Sequence, residues 1–242
     1  MISKNKLKEL AAYRLQKRCD EEAVFVVEGP KMAAEAMASG FDIRVVCATA
    51  EWEVESGNWK EFYEVSAAEL ERLSNFKTPN QVWMLVERKV ENEKWKTESN
   101  LTLALDRIQD PGNMGTMLRT ADWFGVRHVV CSRDTVSVYN PKVVQASMGA
   151  VFRTWVEYVD LPKWLADCNM PVYGASLQGQ PIAHHPSHIT HHTVLLIGNE
   201  SRGISNEAMA QVTDPVLIPN IGGTAESLNA SVAAGILMHW LS

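Results

Sequence analysis

Cysteine is scarce in this chain of 242 residues, and the four present, Cys19, Cys47, Cys131 and Cys168, stand far apart with no CxxC pair among them. Such spacing supports neither a zinc site nor a disulfide framework, so the thiols are read as reduced, as in a cytosolic protein. Long apolar runs are missing too: the longest, near residues 232–241, is too short to cross a bilayer and contains His239. The amino end, Met-Ile-Ser-Lys-Asn-Lys, is charged and lacks the apolar core of a secretory signal, so neither export nor a membrane anchor is expected. No GxGxxG and no Walker A sequence occurs, which removes the main support for dinucleotide-binding and phosphate-loop readings. There is no Ser-His-Asp elbow and no context for an activated cysteine. Excess positive charge is absent as well, the formal net charge being −6. A nucleic-acid partner would therefore need a local basic patch.

What is present is a globular composition, 46% hydrophobic and 21% charged, long enough for one large domain or two small ones. Residues 3–18 read as a helix carrying Lys4, Lys6, Lys8, Arg14, Lys17 and Arg18 against Glu9 alone. This is the best footprint for a phosphate backbone, with an ordinary solvated helix face as the alternative. Strands at 24–27, 43–47, 62–65 and 81–86 alternate with helices at 30–39 and 67–76, which predicts a small α/β unit. The polar stretch from Glu87 to Asn100 has the composition of a linker. The expected organisation is a first domain over 1–90, a linker over 91–99 and a second α/β domain with a mostly parallel sheet over 100–242.

The second domain opens on the stretch around which the rest is organised. An apolar strand, 101–105, runs into Asp110-Pro111-Gly112, and a helix follows with Asn113 as its expected N-cap and Gly125 past its end. Met114, Leu118 and Ala121 supply its apolar stripe, which leaves Arg119 as a lone cation near the amino end. There the helix dipole disfavours it, and its long arm leans back toward Asn113. An ordinary strand-loop-helix unit with a self-solvating arginine is the alternative. Further strands are expected at 128–131, 155–159, 172–176, 193–197 and 216–219, with helices at 143–150, 162–168, from about 206, and from 230 to the end. The loop from 178 to 192 carries His184, His185, His188, His191 and His192 without carboxylate or cysteine at ligand spacing, which favours a solvent-facing loop over a metal site.

Three apolar strands thus end in Gly-containing polar loops that lead into helices, at Asn113, at Glu200 and at Asn229. In open parallel sheets ligands bind beyond the carboxyl ends of strands, where loops and helix N-termini are free, so the three are expected to converge. Ser227 has a weak claim as a nucleophile, helix capping being the commoner duty of such a serine.

With all three loops in hand, the second domain resembles the SpoU (TrmH) class of the SPOUT RNA methyltransferases. The matching pieces are Asn113-x-Gly115-x-x-x-Arg119-Thr-Ala with Phe124-Gly125, Ile197-Gly198-Asn199-Glu200-x-Arg202-Gly203, and Ile218-Pro219 through Glu226-Ser227-Leu228-Asn229 with Ser231. Asn140-Pro141-Lys142 and 146–150 also look like the family. The first domain, with Arg14-Leu-Gln-Lys17 and Phe25-Val-Val-Glu28-Gly29, resembles the small RNA-binding domain that precedes the catalytic domain in some of these enzymes.

The resemblance implies methyl transfer from S-adenosylmethionine to a ribose 2′-hydroxyl of rRNA or tRNA, a carboxyl-terminal trefoil knot, a homodimer and no metal. It assigns Gly198, Ile218, Leu228 and Asn229 to the methyl donor, and Arg119, Asn113, Glu200, Ser227 and Asn229 to catalysis. Within that assignment Asn113 and Ser227 orient the acceptor, and Glu200 holds Arg119 or its loop. The family proposal makes the residue matching Arg119 a general base. A guanidinium is effectively always protonated, so a phosphate clamp and stabiliser of alkoxide charge is the preferred role. The small residues Ala230, Ala233 and Ala234 suit close packing across a dimer, or equally a buried core helix. Two other readings are weighed: a catalytically silent RNA-binding protein, which would not need Asn113, Arg119, Glu200 and Asn229 together, and a small-molecule nucleotide enzyme, which would need a phosphate cradle.

Overall fold

The basic amino-terminal segment is two helices rather than one. Helix α1 (Lys4–Ala11), capped by Ser3 Oγ on the amide of Lys6, tightens into a 3₁₀ turn at Ala12–Arg14 and breaks at the extended Leu15, after which α2 (Gln16–Glu21) starts. The break lets Leu7, Leu10, Tyr13 and Cys19 all reach one core, which a straight helix of period 3.6 would not permit. The computed structural model describes residues 2–53, 57–89, 99–184 and 191–242. The expected linker therefore lies, for residues 91–98, outside the described residues, as do His185 and His188.

Packing divides the chain into two units, Met1–Val90 with Tyr139–Phe152, and Glu91–Val138 with Arg153–Ser242. In the first, β1 (Val24–Glu28), β2 (Ile43–Ala48), β3 (Trp59–Glu64) and β4 (Val82–Glu87) form a sheet in the order β1-β4-β2-β3, antiparallel except for β2 and β3. One face carries Val24, Val26, Val45, Cys47, Trp83 and Leu85 against α1, α2 and α4 (Ala67–Leu73). Helix α4 ends earlier than its pattern predicts because Ser74 is extended and its hydroxyl donates to the buried Glu28. Alternation sends Phe25 to the opposite face, where its ring meets Phe41, Tyr139 and Phe152 at centroid distances of 6.1, 4.8 and 5.9 Å. These rings explain why 139–152, with α6 (Pro141–Ser147), groups with the first unit although it lies within the sequence expected for the second. Helix α3 (Pro30–Ala38) has Pro30 at its first turn and Gly40, φ +68°, just past its end.

The second unit holds a six-stranded sheet, β10-β8-β9-β5-β6-β7, in which every neighbouring pair is parallel. Its strands are β5 (Leu101–Leu105), β6 (His128–Ser132), β7 (Trp155–Val159), β8 (Val172–Pro181), β9 (Thr193–Ile197) and β10 (Asp214–Leu217). Strands β5, β6 and β9 are buried at every residue, as a parallel sheet covered on both faces requires. Leu105 pairs with Cys131 on one side and Ile197 on the other, so β5, β6 and β9 end at one edge. Strand β8 runs to Pro181, past the point where a loop was expected, because its far end pairs with Val216 and Leu217 of β10. The expected strand at 216–219 correspondingly sits earlier, at Asp214–Leu217. The helices are α5 (Pro111–Trp123), α7 (Leu161–Asp167), α8 (Asn206–Met209) and α9 (Ala230–Leu241). No helix among the described residues is long and apolar enough to cross a membrane.

Candidate active site

Helix α5 opens at Pro111, and its N-cap is Asp110, whose Oδ1 accepts from the amide of Asn113 at 2.7 Å. This corrects the expected cap. The Asp-Pro pair is the true signal, a capping carboxylate followed by proline at N1, and it frees the Asn113 side chain for another task. Asn113 Nδ2 donates to Glu200 Oε1 at 2.9 Å, and Asn113 Oδ1 accepts from Asn229 Nδ2 at 2.9 Å. A carboxylate only accepts, so Glu200 dictates which end of Asn113 faces it, and Asn113 in turn dictates that Asn229 presents its amide nitrogen. The remaining oxygen of Asn229 caps α9, accepting from the amides of Ser231 at 2.9 Å and Val232 at 3.4 Å and from Ser231 Oγ at 2.7 Å. Residues 87 and 116 positions apart from Asn113 are thus joined by one relay with a single consistent orientation.

A fourth residue, which the motif reading did not single out, holds the middle loop. Asn199 Nδ2 donates to the carbonyl of Arg107 at 2.8 Å and to Glu200 Oε2 at 3.3 Å, while its Oδ1 accepts from the amides of Ser201 and Arg202. Asn199 and Gly203 also exchange main-chain bonds of 3.0 and 2.9 Å. The loop therefore folds back on itself directly over Gly198. A Cβ there would lie 2.2 Å from Gly203 C and Ile204 N, so the glycine is required by the loop's own return. Asp106, buried at the end of β5, accepts from the amide of Ser205 at 2.6 Å and pins the far end of the same loop. Asn followed by Glu after a strand was the available signal for Asn199, since Asx side chains commonly bond backbone two residues on.

The other expected residues are placed as follows. Arg119 lies on α5, exposed, and makes no hydrogen bond or ion pair with another described residue. A spacing of six puts it about 9 Å along the axis and about 120° round from Asn113, and Glu200 is bonded to Asn113 rather than to Arg119. Ser227 is exposed and does not cap α9, a duty that falls to Asn229. Ile218 is half-buried, and Leu228 is exposed. Ala230 and Ala234 are buried in the core, so the core reading holds for them, and the exposed apolar residues of α9 are Val232 and Ile236.

Three of the four thiols, Cys19, Cys47 and Cys131, are buried and are no candidates for chemistry. Burial pushes Cys19 up to about 11 and Cys47 up to about 12, and raises Cys131 further. No group of three or more metal-ligating side chains occurs among the described residues. The loop from 218 to 228 exposes Ile221 (96%) and Leu228 (48%), and Gly222, φ +95°, has open space where a Cβ would stand. These two side chains and the open backbone at Gly222 are accessible to a ligand.

Residues 100–239 match the family described as SpoU rRNA Methylase, and residues 4–83 match the MRM3-like substrate binding domain. The chain is 30% identical to the 23S rRNA (guanosine(2553)-2′-O)-methyltransferase RlmP of Bacillus subtilis, over 98% of its own length and 95% of that protein. Among solved structures, a TrmH-family protein from Porphyromonas gingivalis is 38% identical with a TM-score of 0.88, covering 100% of this chain and 98% of that one. An rRNA methyltransferase from Sinorhizobium meliloti, solved with AdoMet bound, is 25% identical with a TM-score of 0.82, covering 99% and 95%.

Proposed function

Because the chain belongs to the SpoU rRNA methylase family, we propose that it transfers a methyl group from S-adenosylmethionine to a ribose 2′-hydroxyl of structured rRNA or tRNA. The observation that carries this reading is the Asn229-Asn113-Glu200 relay, which gathers three loops at the carboxyl edge of a parallel sheet. A silent RNA-binding protein would have no need of it. The donor, when bound, supplies a methyl group already activated on a sulfonium. Ile218, Leu228 and the backbone at Gly198 form its side of the site, with Asn229 holding the adjoining helix start. Asn113 and Ser227 orient the acceptor ribose, Glu200 fixes Asn113, and Arg119 stabilises negative charge developing on the 2′-oxygen while gripping a neighbouring phosphate.

Residues 1–90 serve as the RNA-binding domain and 100–242 as the catalytic domain, joined by 91–99, with the carboxyl end threaded as a trefoil knot. The protein acts in the cytoplasm as a homodimer. Calorimetric titration with S-adenosylmethionine, with NAD as the control, and transfer of labelled methyl to unmodified rRNA and tRNA transcripts test the reading. Methyl groups at alkali-resistant linkages are the expected result, and a folded protein that binds no donor would sink it.

A further inference from the structure

Arg107, the second residue past β5, has φ +58°. A side chain with a Cβ is strained in that region, where glycine sits freely. The structure keeps an arginine there by capturing both of its main-chain groups. Its N–H donates to Ser132 Oγ at the end of β6, and its carbonyl accepts from Asn199 Nδ2, both at 2.8 Å. Asn199 also touches Glu200, so the side chain that fixes the backbone of Arg107 adjoins the relay.

The arginine's own side chain has little to hold. Its Nε is buried without a hydrogen bond, 3.5 Å from Asp106 Oδ1, while the other oxygen of Asp106 is engaged by the amide of Ser205. The side chain is 27% exposed, and no other ion pair reaches it among the described residues. A strained residue with an under-used charge, held from two sides at the mouth of a site, points to a ligand. We propose that Arg107 is a second RNA contact, gripping a backbone phosphate near the acceptor ribose at the lip formed by the loops after β5, β6 and β9. This rests on the RNA methyltransferase reading above.

The test replaces Arg107 by residues that accept its backbone but not its role: Arg107→Gly, and Arg107→Asn as a neutral residue tolerant of positive φ. Wild type and variants are compared for thermal unfolding, donor affinity, and binding and methylation of unmodified 23S rRNA and tRNA transcripts between about 50 and 200 mM salt. Both variants should melt at the same temperature as wild type or higher. Both should bind RNA several-fold more weakly, raise KM for RNA, and flatten the plot of log affinity against log salt by about one unit. Donor affinity should not change.

Unchanged RNA affinity and salt slope in both variants would overturn the proposal. So would a drop in melting temperature without a change in slope, which would make Arg107 a structural partner of Asp106, or a loss confined to donor affinity, which would make it a ligand for the donor's carboxylate. A wild-type protein that binds donor yet neither binds nor methylates these RNAs would bring down the functional reading, and Arg107 with it. A wild type that does both beside indistinguishable variants would remove Arg107 alone.

Discussion

Arg119 is the residue whose position departs most from a self-contained site. Its charge is exposed and makes no contact with the relay, yet the six-residue spacing from Asn113 places it one flank round on the same helix. A cation there is available to substrate. If it acts on charge that develops in the transition state, Arg119→Ala should lower kcat by roughly 100-fold, about 2.7 kcal/mol, with donor affinity unchanged. Lysine at 119 keeps the charge and loses the fork, so strong rescue by Arg119→Lys would favour charge stabilisation over bidentate phosphate gripping. Turnover that climbs with alkaline pH in that variant would instead single out a base. Loss of donor binding in Arg119→Ala, with turnover per bound donor intact, would refute the catalytic role. The opposite case is Asn113, legible as a polar residue near a helix start but misjudged in duty. Asp110 took the cap, and only the tertiary fold, by bringing Glu200 and Asn229 alongside, shows what the freed amide does.

At the scale of elements, the broken amino-terminal helix sorts its own charges. Lys6 is tied to Glu9 and Glu61 at 3.1 Å each, and Arg18 pairs with Glu22, whereas Lys4, Lys8 and Lys17 are exposed without described ion pairs. Replacing Lys4, Lys8 and Lys17 by Gln should therefore weaken RNA binding and flatten its salt dependence by up to about 2 to 3 units, since fewer counterions are released. Lys6→Gln alone should leave the slope as it was. An equal effect from Lys6 would mean that its ion pairs do not persist on RNA. At the amino edge of the parallel sheet, Thr102 Oγ1 lies 3.4 Å from His128 Nδ1 and 3.3 Å from His192 Nε2, with Glu157 on the far nitrogen of His128. Burial, and then the proximity of His128, depress the pKa of His192 below 6.5. The unfolded chain thus takes up a proton that the folded chain refuses, so this contribution to stability is present above about pH 6.5 and is lost as pH falls below it. His192→Gln should lose less melting temperature than wild type between pH 7.5 and 5, and identical losses would show that His192 is not the group responsible. Sequence periodicity located most of these elements because buried strands and capped helices write themselves locally. It misplaced the end of α1, where Leu15 turns extended after a local 3₁₀ turn, and the ends of α4 and β8, where the bond of Ser74 to Glu28 and the pairing of Pro181 with Leu217 are decided by distant partners.

For the molecule as a whole, the apolar surface left uncovered is the informative feature. Trp123 is 84% exposed at the end of α5, and Val232 and Ile236, 49% and 37% exposed, lie one turn apart on α9. The two helices pack together where Gly235 faces Thr120, so these side chains border one seam. Residues 232, 235, 236 and 239 share one face of α9, and 116, 119, 120 and 123 share one of α5, by the three- and four-residue spacing of neighbours on a helix. Arg119 thus belongs to the same exposed surface as Trp123. A homodimer formed there would bury a tryptophan, the residue type most enriched at interface hot spots, and would bring Arg119 beside the second chain. If a homodimer forms on this seam, Trp123→Lys together with Ile236→Glu should turn it into a monomer by analytical ultracentrifugation, leave the far-ultraviolet circular dichroism unchanged because both side chains are exposed, and lower methyl transfer by at least the roughly 100-fold ascribed to Arg119. A monomeric variant with full activity would place the complete site in one chain. A variant that stays dimeric would put the interface on another face, and the exposed seam would then need a different partner.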